Sequence, residues 1–287
     1  MTGGRVGSVD PVDLAAPTGR DDVPAGWLRY VRILGICWRA AVSQQLEYRA
    51  ELLATTLMSA FWLAWAALGV SVYFRFTGDI AGWAYPEVLV VIGLFFAVNG
   101  LRQAFLEPNL DLMREYVRRG TLDHVLTQPV DSQVLVSLRQ VGLANLADPV
   151  LGLVLAGVGV ALSGRGVSVG AIASFVLLLA AALVLLYALV LGLMSLAVLL
   201  VGADDLGSVS FAVVELARFP VQAYRQPLQT LLVVVPVAFL TTLPAQALLG
   251  RGDPVMLLVA PVVAGVAVAA ASLGWHRVLG RYTGASG

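Results

Sequence analysis

The sequence predicts an all-α, polytopic membrane protein. Hydrophobic residues make up 59% of the 287 residues and charged residues 13%, whereas globular domains carry about 25% charged residues. Mean hydropathy is +0.86. Five apolar segments reach the roughly 20 residues that a membrane-spanning helix needs: Glu51 to Phe74, Glu87 to Leu106, Ser137 to Leu162, Val169 to Val201 and Pro254 to Trp275. One polar segment, Asp111 to Asp131, which we name the charged island, separates the second apolar segment from the third.

The N-terminal part precedes the first apolar segment. Residues 1–26 lack the apolar stretch of a signal peptide and are rich in Gly, Pro and Asp, so we expect a disordered extension. Residues 27–49 place tryptophans on one helical face and arginines on the other, which predicts an amphipathic helix in the membrane interface. A soluble, partner-binding helix would show the same periodicity. Residues 50–287 form the predicted transmembrane domain.

The charged island has the pattern of two short amphipathic helices. Asn109 is suited to cap the first helix, and Gly120 is suited to end it in a left-handed conformation. Thr121 can cap the second helix, which Pro129 would end. We expect both helices near the membrane surface, with exposed Arg114, Arg118 and Arg119. The alternative is a basic loop that only follows the positive-inside rule.

The segment between residues 203 and 250 allows two interpretations, because four prolines interrupt it. In the first, Asp204 to Pro220 is a short span and Val221 to Leu249 is a hairpin that re-enters the membrane from outside. In the second, Asp204 to Gln226 is cytoplasmic and Pro227 to Leu249 is the span. Both interpretations give six crossings and place the two termini on the same side.

The arginines predict the orientation. The first interpretation places most of the 18 arginines on the side of the termini. They are Arg5, Arg20, Arg29, Arg32, Arg39, Arg49, Arg114, Arg118, Arg119, Arg139, Arg277 and Arg281. The positive-inside rule then makes the termini and the charged island cytoplasmic, and Asp79, Arg165 and Gly250 external. The second interpretation also moves Arg218 and Arg225 inside, so the charge rule alone favours it.

Three polar residues, Arg102, Asn145 and Asp148, lie inside predicted spans. An ionisable group at membrane depth is a functional candidate or one half of a pair. We expect Asp148 well inside the third span, paired with Arg102 or Asn145 to fix helix packing. A contact of Asp148 with substrate is the alternative.

The sequence offers little for catalysis. It contains no lysine, which excludes a Walker A lysine, a Schiff base and a Ser-Lys dyad. Cys37 is the single cysteine, and His124 and His276 belong to no metal-binding motif. The formal net charge is zero, so no overall field attracts nucleic acid. We therefore predict neither a catalytic nor a metal site on this chain.

Four motifs occur in a recognisable order: QLEYRAELL, AGWAYPEVLVVIGLF, RRGTLDHVLTQPVDSQVLVSLR and the late FP…P…PVAF…LPAQALL pattern. This order, from about Gln45 to Arg277, resembles the membrane subunits of bacterial ABC-2 type ABC exporters. The GTLD…L..P part, which begins at Gly120, is the most specific. The sequence departs from the family at Gln128, where relatives often have a basic residue.

The resemblance implies a permease subunit of an ATP-driven exporter in the bacterial plasma membrane, with cytoplasmic termini. The charged island would contain the coupling helix that contacts a separate ABC ATPase, and the late prolines would form re-entrant helices, as in the first interpretation. The implied coupling residues are Arg114, Glu115, Arg118, Arg119, Gly120, Thr121, Leu122, Asp123 and His124. Two ATPase copies, which bind ATP and Mg²⁺, and a second permease chain, identical or related, are the implied partners besides lipid. No cofactor is implied on this chain.

A second hypothesis belongs to a different functional class. The chain could be a membrane scaffold or sensor that recruits a cytoplasmic partner through the charged island and transports nothing. Copurification of a P-loop ATPase favours the exporter, and a stable complex without a nucleotidase favours the scaffold. The substrate is not readable from the sequence.

Overall fold

The computed structural model describes residues 27–47, 49–122, 131–199, 206–234 and 237–280. The predicted N-terminal extension and nearly all of the second island helix, with Asp123 and His124, lie outside these residues. Every regular element in the described ranges is helical, and an isolated bridge joins Ile80 to Trp83. This confirms the all-α prediction for the described part of the chain.

The α-helices are numbered here in chain order. They are α1 (Trp27–Glu47), α2 (Arg49–Tyr73), α3 (Tyr85–Leu101), α4 (Glu107–Arg119), α5 (Ser132–Leu138), α6 (Ala147–Leu162), α7 (Val169–Leu199), α8 (Leu206–Glu215), α9 (Leu228–Val234), α10 (Thr242–Leu248) and α11 (Pro254–Leu279). A π-helical turn, Arg102–Leu106, joins α3 to α4. Short 3₁₀ turns occur at Leu143–Leu146, Val221–Ala223 and Val237–Phe239.

Five helical segments are long and apolar enough to cross a membrane. They are Arg49–Tyr73, Tyr85–Arg119, Leu143–Leu162, Val169–Leu199 and Pro254–Leu279. Each overlaps one of the five predicted apolar segments, so the chain is a multi-pass membrane protein. The predicted additional span at Asp204 to Pro220 corresponds to α8, which is described from Leu206 and has 10 residues. At 1.5 Å per residue α8 is about 15 Å long, half the thickness of the hydrocarbon core.

Helix α3 forms the centre of the fold, because every residue from Glu87 to Gly100 is buried. It packs antiparallel against α6 through glycines. A Cβ atom added to Gly152 would lie 2.4 Å from the carbonyl oxygen of Gly93, and one added to Gly159 would lie 2.6 Å from that of Pro86. Close backbone contact through small residues is the usual basis of packing between membrane helices. Helices α7 and α11 also pack together, and they run parallel, because the turns that precede both helices lie beside Glu87.

The predicted third span, Ser137 to Leu162, is wrong at its start. Helix α5 ends at Leu138, and the chain is not helical again until the 3₁₀ turn at Leu143. The break persists because its backbone groups bond to the π-helical turn between α3 and α4 and to Asn109 of α4. The Gly142 amide donates to the Ala104 carbonyl oxygen at 2.7 Å, and the Gln140 amide donates to the Asn109 side chain at 2.8 Å. Backbone groups that are satisfied this way do not require a continuous helix.

The proline-containing segment after α8 consists of short pieces. Between Pro227 and Leu249, the longest helix in the described residues has seven residues. The described residues therefore do not form one unbroken helix over this range, and the choice between the two interpretations stays a prediction. Prolines lack the amide hydrogen and clash with the preceding turn, which ends helices. The re-entrant hairpin of the first interpretation stays a prediction.

The two ends of the bundle carry different groups. We name the end with Gly120, Gln140 and the last turn of α11 the island end. The opposite end, named the Glu87 end, contains the start of α3, the turn after α6 and the turn before α11. Helix α2 lies at the periphery, where Leu57, Trp65 and other large apolar side chains are more than half exposed. Such a surface is suited to contact lipid or another membrane chain.

Candidate functional site at the island end

Helix α4 carries the described part of the charged island and ends as the sequence predicts. Gly120 has a φ of 65° in the left-handed region, and the Thr121 amide donates to the Tyr116 carbonyl oxygen at 3.0 Å. These features form a glycine C-cap. The predicted start is wrong. Asn109 does not cap α4, because the helix begins at Glu107 and continues from α3 through the π-helical turn.

Asn109 instead holds α4 against the chain break after α5. Its side-chain amide donates to the Gln140 carbonyl oxygen at 2.9 Å and to that of Phe105 at 2.7 Å. Its Oδ1 accepts the Gln140 amide at 2.8 Å. The residue is fully buried, so these bonds replace the water that its amide group would need. A side chain suited to helix capping therefore serves as a clamp between two segments.

The apolar side of α4 is buried in the core. Leu110 and Met113 are at most 1% exposed, as their helical spacing predicts, and Leu122, which follows the Gly120 cap, is also buried. Tyr116 accepts a hydrogen bond from Arg139 at 2.7 Å, and the Arg139 guanidinium also lies over the Tyr116 ring. The described part of the island is thus fixed to the bundle. It is not a loose loop.

The polar side of α4 presents charged groups to solvent. The side chains of Arg118 and Arg119 are 71% and 68% exposed, and both form ion pairs with Glu115. Arg114, predicted to be exposed, is only 27% exposed, because it pairs with Asp111 and lies beside the start of α8. The ion pairs leave an excess of one positive charge on this side. Exposed arginines with freely accessible donors are suited to bind acidic groups of a partner.

A buried arginine lies directly beneath this surface. Arg102, at the start of the π-helical turn, is 1% exposed. It forms an ion pair with Glu107 at 3.0 Å and donates to Asn99 at 3.1 Å. It also donates to the Ser210 hydroxyl of α8 at 2.8 Å. Arg102 therefore connects α3, α4 and α8 through one guanidinium group. A π-helical turn is rare and frequently marks a functional position.

The other two intramembrane polar residues have different surroundings from those predicted. Asp148 lies in the first turn of α6, not deep inside a long span, because the helix starts at Ala147. Its predicted pairing is wrong: Arg102 binds Glu107, and Asn145 donates to the Gln103 carbonyl oxygen at 3.3 Å. The Ser59 side chain interacts with the Asp148 carboxylate, while Oδ1 has no hydrogen-bond partner in the described structure.

The structure shows a second ionic cluster that the sequence analysis missed, at the Glu87 end. Glu87 is 3% exposed and pairs with Arg165 at 2.9 Å and Arg251 at 2.6 Å. Its carboxylate also accepts the Ala84 amide at 3.0 Å. The cluster ties the turns before α7 and α11 to the start of α3. A glutamate directly after a proline at a predicted span start was a signal for it.

The described residues contain no group of three or more His, Cys, Asp or Glu side chains that could hold a metal ion. The geometry of the island end consists of ion pairs, the Asn109 clamp and one exposed basic surface on α4. No nucleophile with an activating base occurs in this network. The island end is therefore suited to contact a partner protein and to move as one unit.

The sequence comparisons identify the family. The family profile described as ABC-2 family transporter protein matches residues 60–286, well over half of the chain. No curated protein and no solved structure matched. The matched range includes α3, the π-helical turn, the island and all later helices. A multi-pass bundle with this match is a transporter permease, and the chain belongs to the ABC-2 transporter family.

Proposed function

We propose that this permease is the transmembrane subunit of an ATP-driven exporter in the bacterial plasma membrane, and that a separate ABC ATPase drives it. Two ATPase copies, which bind ATP and Mg²⁺, would assemble with two permease chains, identical or related. The positive-inside rule supports a cytoplasmic island end and cytoplasmic termini. The family match supports the transporter context.

The observation that carries this proposal is the continuity of α3 and α4. Together with the π-helical turn they form one helical segment of 35 residues. At 1.5 Å per residue this rod is about 52 Å long, so it extends about 20 Å beyond a hydrocarbon core of about 30 Å. The projecting part carries Arg118 and Arg119. A push on these residues would tilt α3, since no flexible linker separates them.

Arg102 supports a route from this rod to α8. Its guanidinium bonds to Glu107 on α4 and to Ser210 on α8 at the same time. Movement of α4 would therefore shift α8 and the proline-containing segment that follows. In the proposed function that segment re-enters the membrane from outside. ATP-driven closure of the ATPase pair would in this way change the permeation path.

The first test reverses the exposed charges of α4. The variant Arg118→Glu/Arg119→Glu adds repulsion toward acidic partner groups and leaves the buried side of α4 intact. The matched control is Arg75→Glu/Arg225→Glu, which makes the same charge change at two exposed arginines away from α4. Each tagged chain is purified from native membranes, and copurified ATP hydrolysis and P-loop ATPase peptides are measured.

We expect wild type and control to retain the ATPase and the island variant to lose most of it, at equal amounts of inserted permease. Undiminished ATPase binding by the island variant would show that Arg118 and Arg119 of α4 do not contribute to the contact with the ATPase. A stable wild-type complex without any nucleotidase would support the scaffold or sensor alternative. Gly120→Val should also weaken the contact with every charge in place, because a β-branched residue is strained at a φ of 65°.

The second test addresses orientation. Arg119→Cys and Asp79→Cys are made separately in a Cys37→Ser background, and intact cells are treated with an impermeant thiol reagent. We expect labelling at position 79 and none at position 119 until the cells are permeabilised. Labelling at position 119 in intact cells would reverse the proposed orientation.

A further inference from the structure

A cavity of about 600 Å³ lies between α2 and the segment that follows α8. This volume falls within the range of small-molecule sites. Its walls are mainly apolar and aromatic, with Trp62, Trp65, Ile92 and Phe219 among them. Arg218 is the one charged residue in the wall. The described structure thus combines an apolar chamber with a single guanidinium.

Arg218 lies at membrane depth. Its guanidinium is 5.1 Å from the centre of the Phe95 ring. Phe95 is ten residues after the start of α3 at Tyr85, so the two lie about 15 Å apart along the helix. An arginine at such depth is costly and usually serves a pathway, a partner or a ligand.

The ion pair of Arg218 is incompletely satisfied. Glu215 accepts from one terminal nitrogen of Arg218 at 2.6 Å. In the described structure the buried Nε of Arg218, the Oε2 of Glu215 and the Oε1 of Gln222 have no hydrogen-bond partner. An unsatisfied buried polar atom costs about 1 to 3 kcal/mol, and each one in a native structure requires an explanation. A polar ligand group that reorganises these side chains would provide one.

The positions of Arg218 and Glu215 relative to the cavity indicate the charge of the ligand that would fit. Arg218 lines the cavity, whereas Glu215 does not, so the positive end of the ion pair faces the chamber. The Arg218 side chain is 37% exposed, which leaves donors accessible to an incoming acceptor. Sulfonate, phosphate and carboxylate groups are the acceptors that a guanidinium binds best.

We propose that this cavity binds an amphipathic organic anion, with the anionic head on Arg218 and the apolar body against Trp62 and Trp65. This inference deepens the proposed function and rests on it for the view that the bound molecule is the exported one. Binding itself requires no ATPase. The exposed position of α2 allows such a molecule to enter sideways from the lipid.

The test uses three brominated probes with the same twelve-carbon chain: 12-bromododecane-1-sulfonate, 12-bromododecan-1-ol and 12-bromododecyltrimethylammonium. The purified permease is placed in nanodiscs of zwitterionic lipid, and quenching of tryptophan fluorescence by bromine is titrated. We expect the sulfonate to bind about tenfold more tightly than the alcohol or the ammonium probe, the order expected from hydrogen bonds to a charged group.

Three variants test the assignment. Arg218→Gln should reduce sulfonate affinity to that of the alcohol, and Arg225→Gln, an exposed arginine outside the cavity wall, should not change it. Gly69→Leu should weaken binding of the sulfonate and the alcohol alike. Gly69 lines the cavity, and an added Cβ would meet nothing within 4 Å, so this variant fills space without disturbing Arg218. Size-exclusion profiles show which variants are folded.

Equal affinity for the three head groups, or a sulfonate preference that persists in Arg218→Gln, would overturn the inference. Tighter binding of the ammonium probe would assign the site to Glu215 and would also overturn it. If the chain binds the sulfonate but associates with no ATPase, the anion site is supported and the proposed exporter function is wrong. If the chain associates with an ATPase but binds the three head groups equally, the exporter function is supported and the anion site is wrong.

Discussion

Loss of the Glu107 carboxylate should destabilise the fold more than loss of its arginine partner. Glu107→Gln leaves the guanidinium of Arg102 buried at 1% exposure without its counter-ion. Removal of one partner from a buried ion pair costs about 3 to 5 kcal/mol. Because Glu107 itself is 29% exposed, we expect the lower end, about 3 kcal/mol.

Arg102→Met should cost less. The remaining Glu107 can reach water, and Ser210 still donates to the Gly207 carbonyl oxygen at 3.0 Å. Asn99, which is 8% exposed, loses the donor to its Oδ1, a cost of about 1 to 3 kcal/mol for an unsatisfied acceptor. The buried methionine offsets part of that cost. The double variant Arg102→Met/Glu107→Gln should therefore be close to Arg102→Met and more stable than Glu107→Gln.

The free energy of unfolding is measured for each variant by reversible unfolding in mixed detergent micelles, with SDS as the denaturant. Glu115→Gln is the matched control, because its pairs with the exposed Arg118 and Arg119 are surface i,i+3 and i,i+4 pairs worth about 0.5 kcal/mol each. Strict additivity of the two single variants, or a Glu107→Gln chain as stable as Arg102→Met, would refute the view that Arg102 depends on Glu107.

Three further predictions concern other positions. Gly152→Val should prevent assembly of α3 with α6, because the added Cβ would lie 2.4 Å from a backbone oxygen. The control Gly157→Val should fold, because nothing lies within 4 Å of its Cβ position. The yield of monodisperse protein is measured for both variants, and equal yields would contradict the packing of α3 against α6. Glu87→Gln should lower the apparent Tm and increase proteolysis at the Glu87 end, since two arginines lose their shared carboxylate; unchanged cleavage would show that the cluster is dispensable. Asp148→Asn should not reduce folded protein, because it removes a carboxylate with an unpartnered oxygen, and a loss of yield would indicate a cation partner for Asp148.

Much of the fold could be predicted from the sequence. A span requires only enough consecutive apolar residues, so five of the predicted segments recur as long helices. The end of α4 was also predictable, because a left-handed residue strongly favours glycine and Gly120 has that conformation. The buried face of α4 follows from helical periodicity, which is likewise local.

The errors have a common physical cause. Asn109 has the same side-chain groups whether it caps a helix or clamps a neighbouring segment, and only the position of Gln140 distinguishes the two. The chain break after α5 is stable because other segments satisfy its backbone groups. A hydropathy profile does not detect these hydrogen bonds from other segments, and the residues of the break are themselves compatible with a helix.

Composition, apolar length and glycine placement, which act within a few turns of helix, determined the membrane class, five spans and the end of α4. Tertiary structure alone decided which polar groups meet. Arg102 is closest in sequence to Asn99 and Glu107, but its bond to Ser210 crosses 108 positions, and Glu87 binds Arg251 across 164. In the membrane interior a charge is stable only beside a partner. That partner is selected by how the helices pack, and the packing depends on close contacts such as that between Gly93 and Gly152.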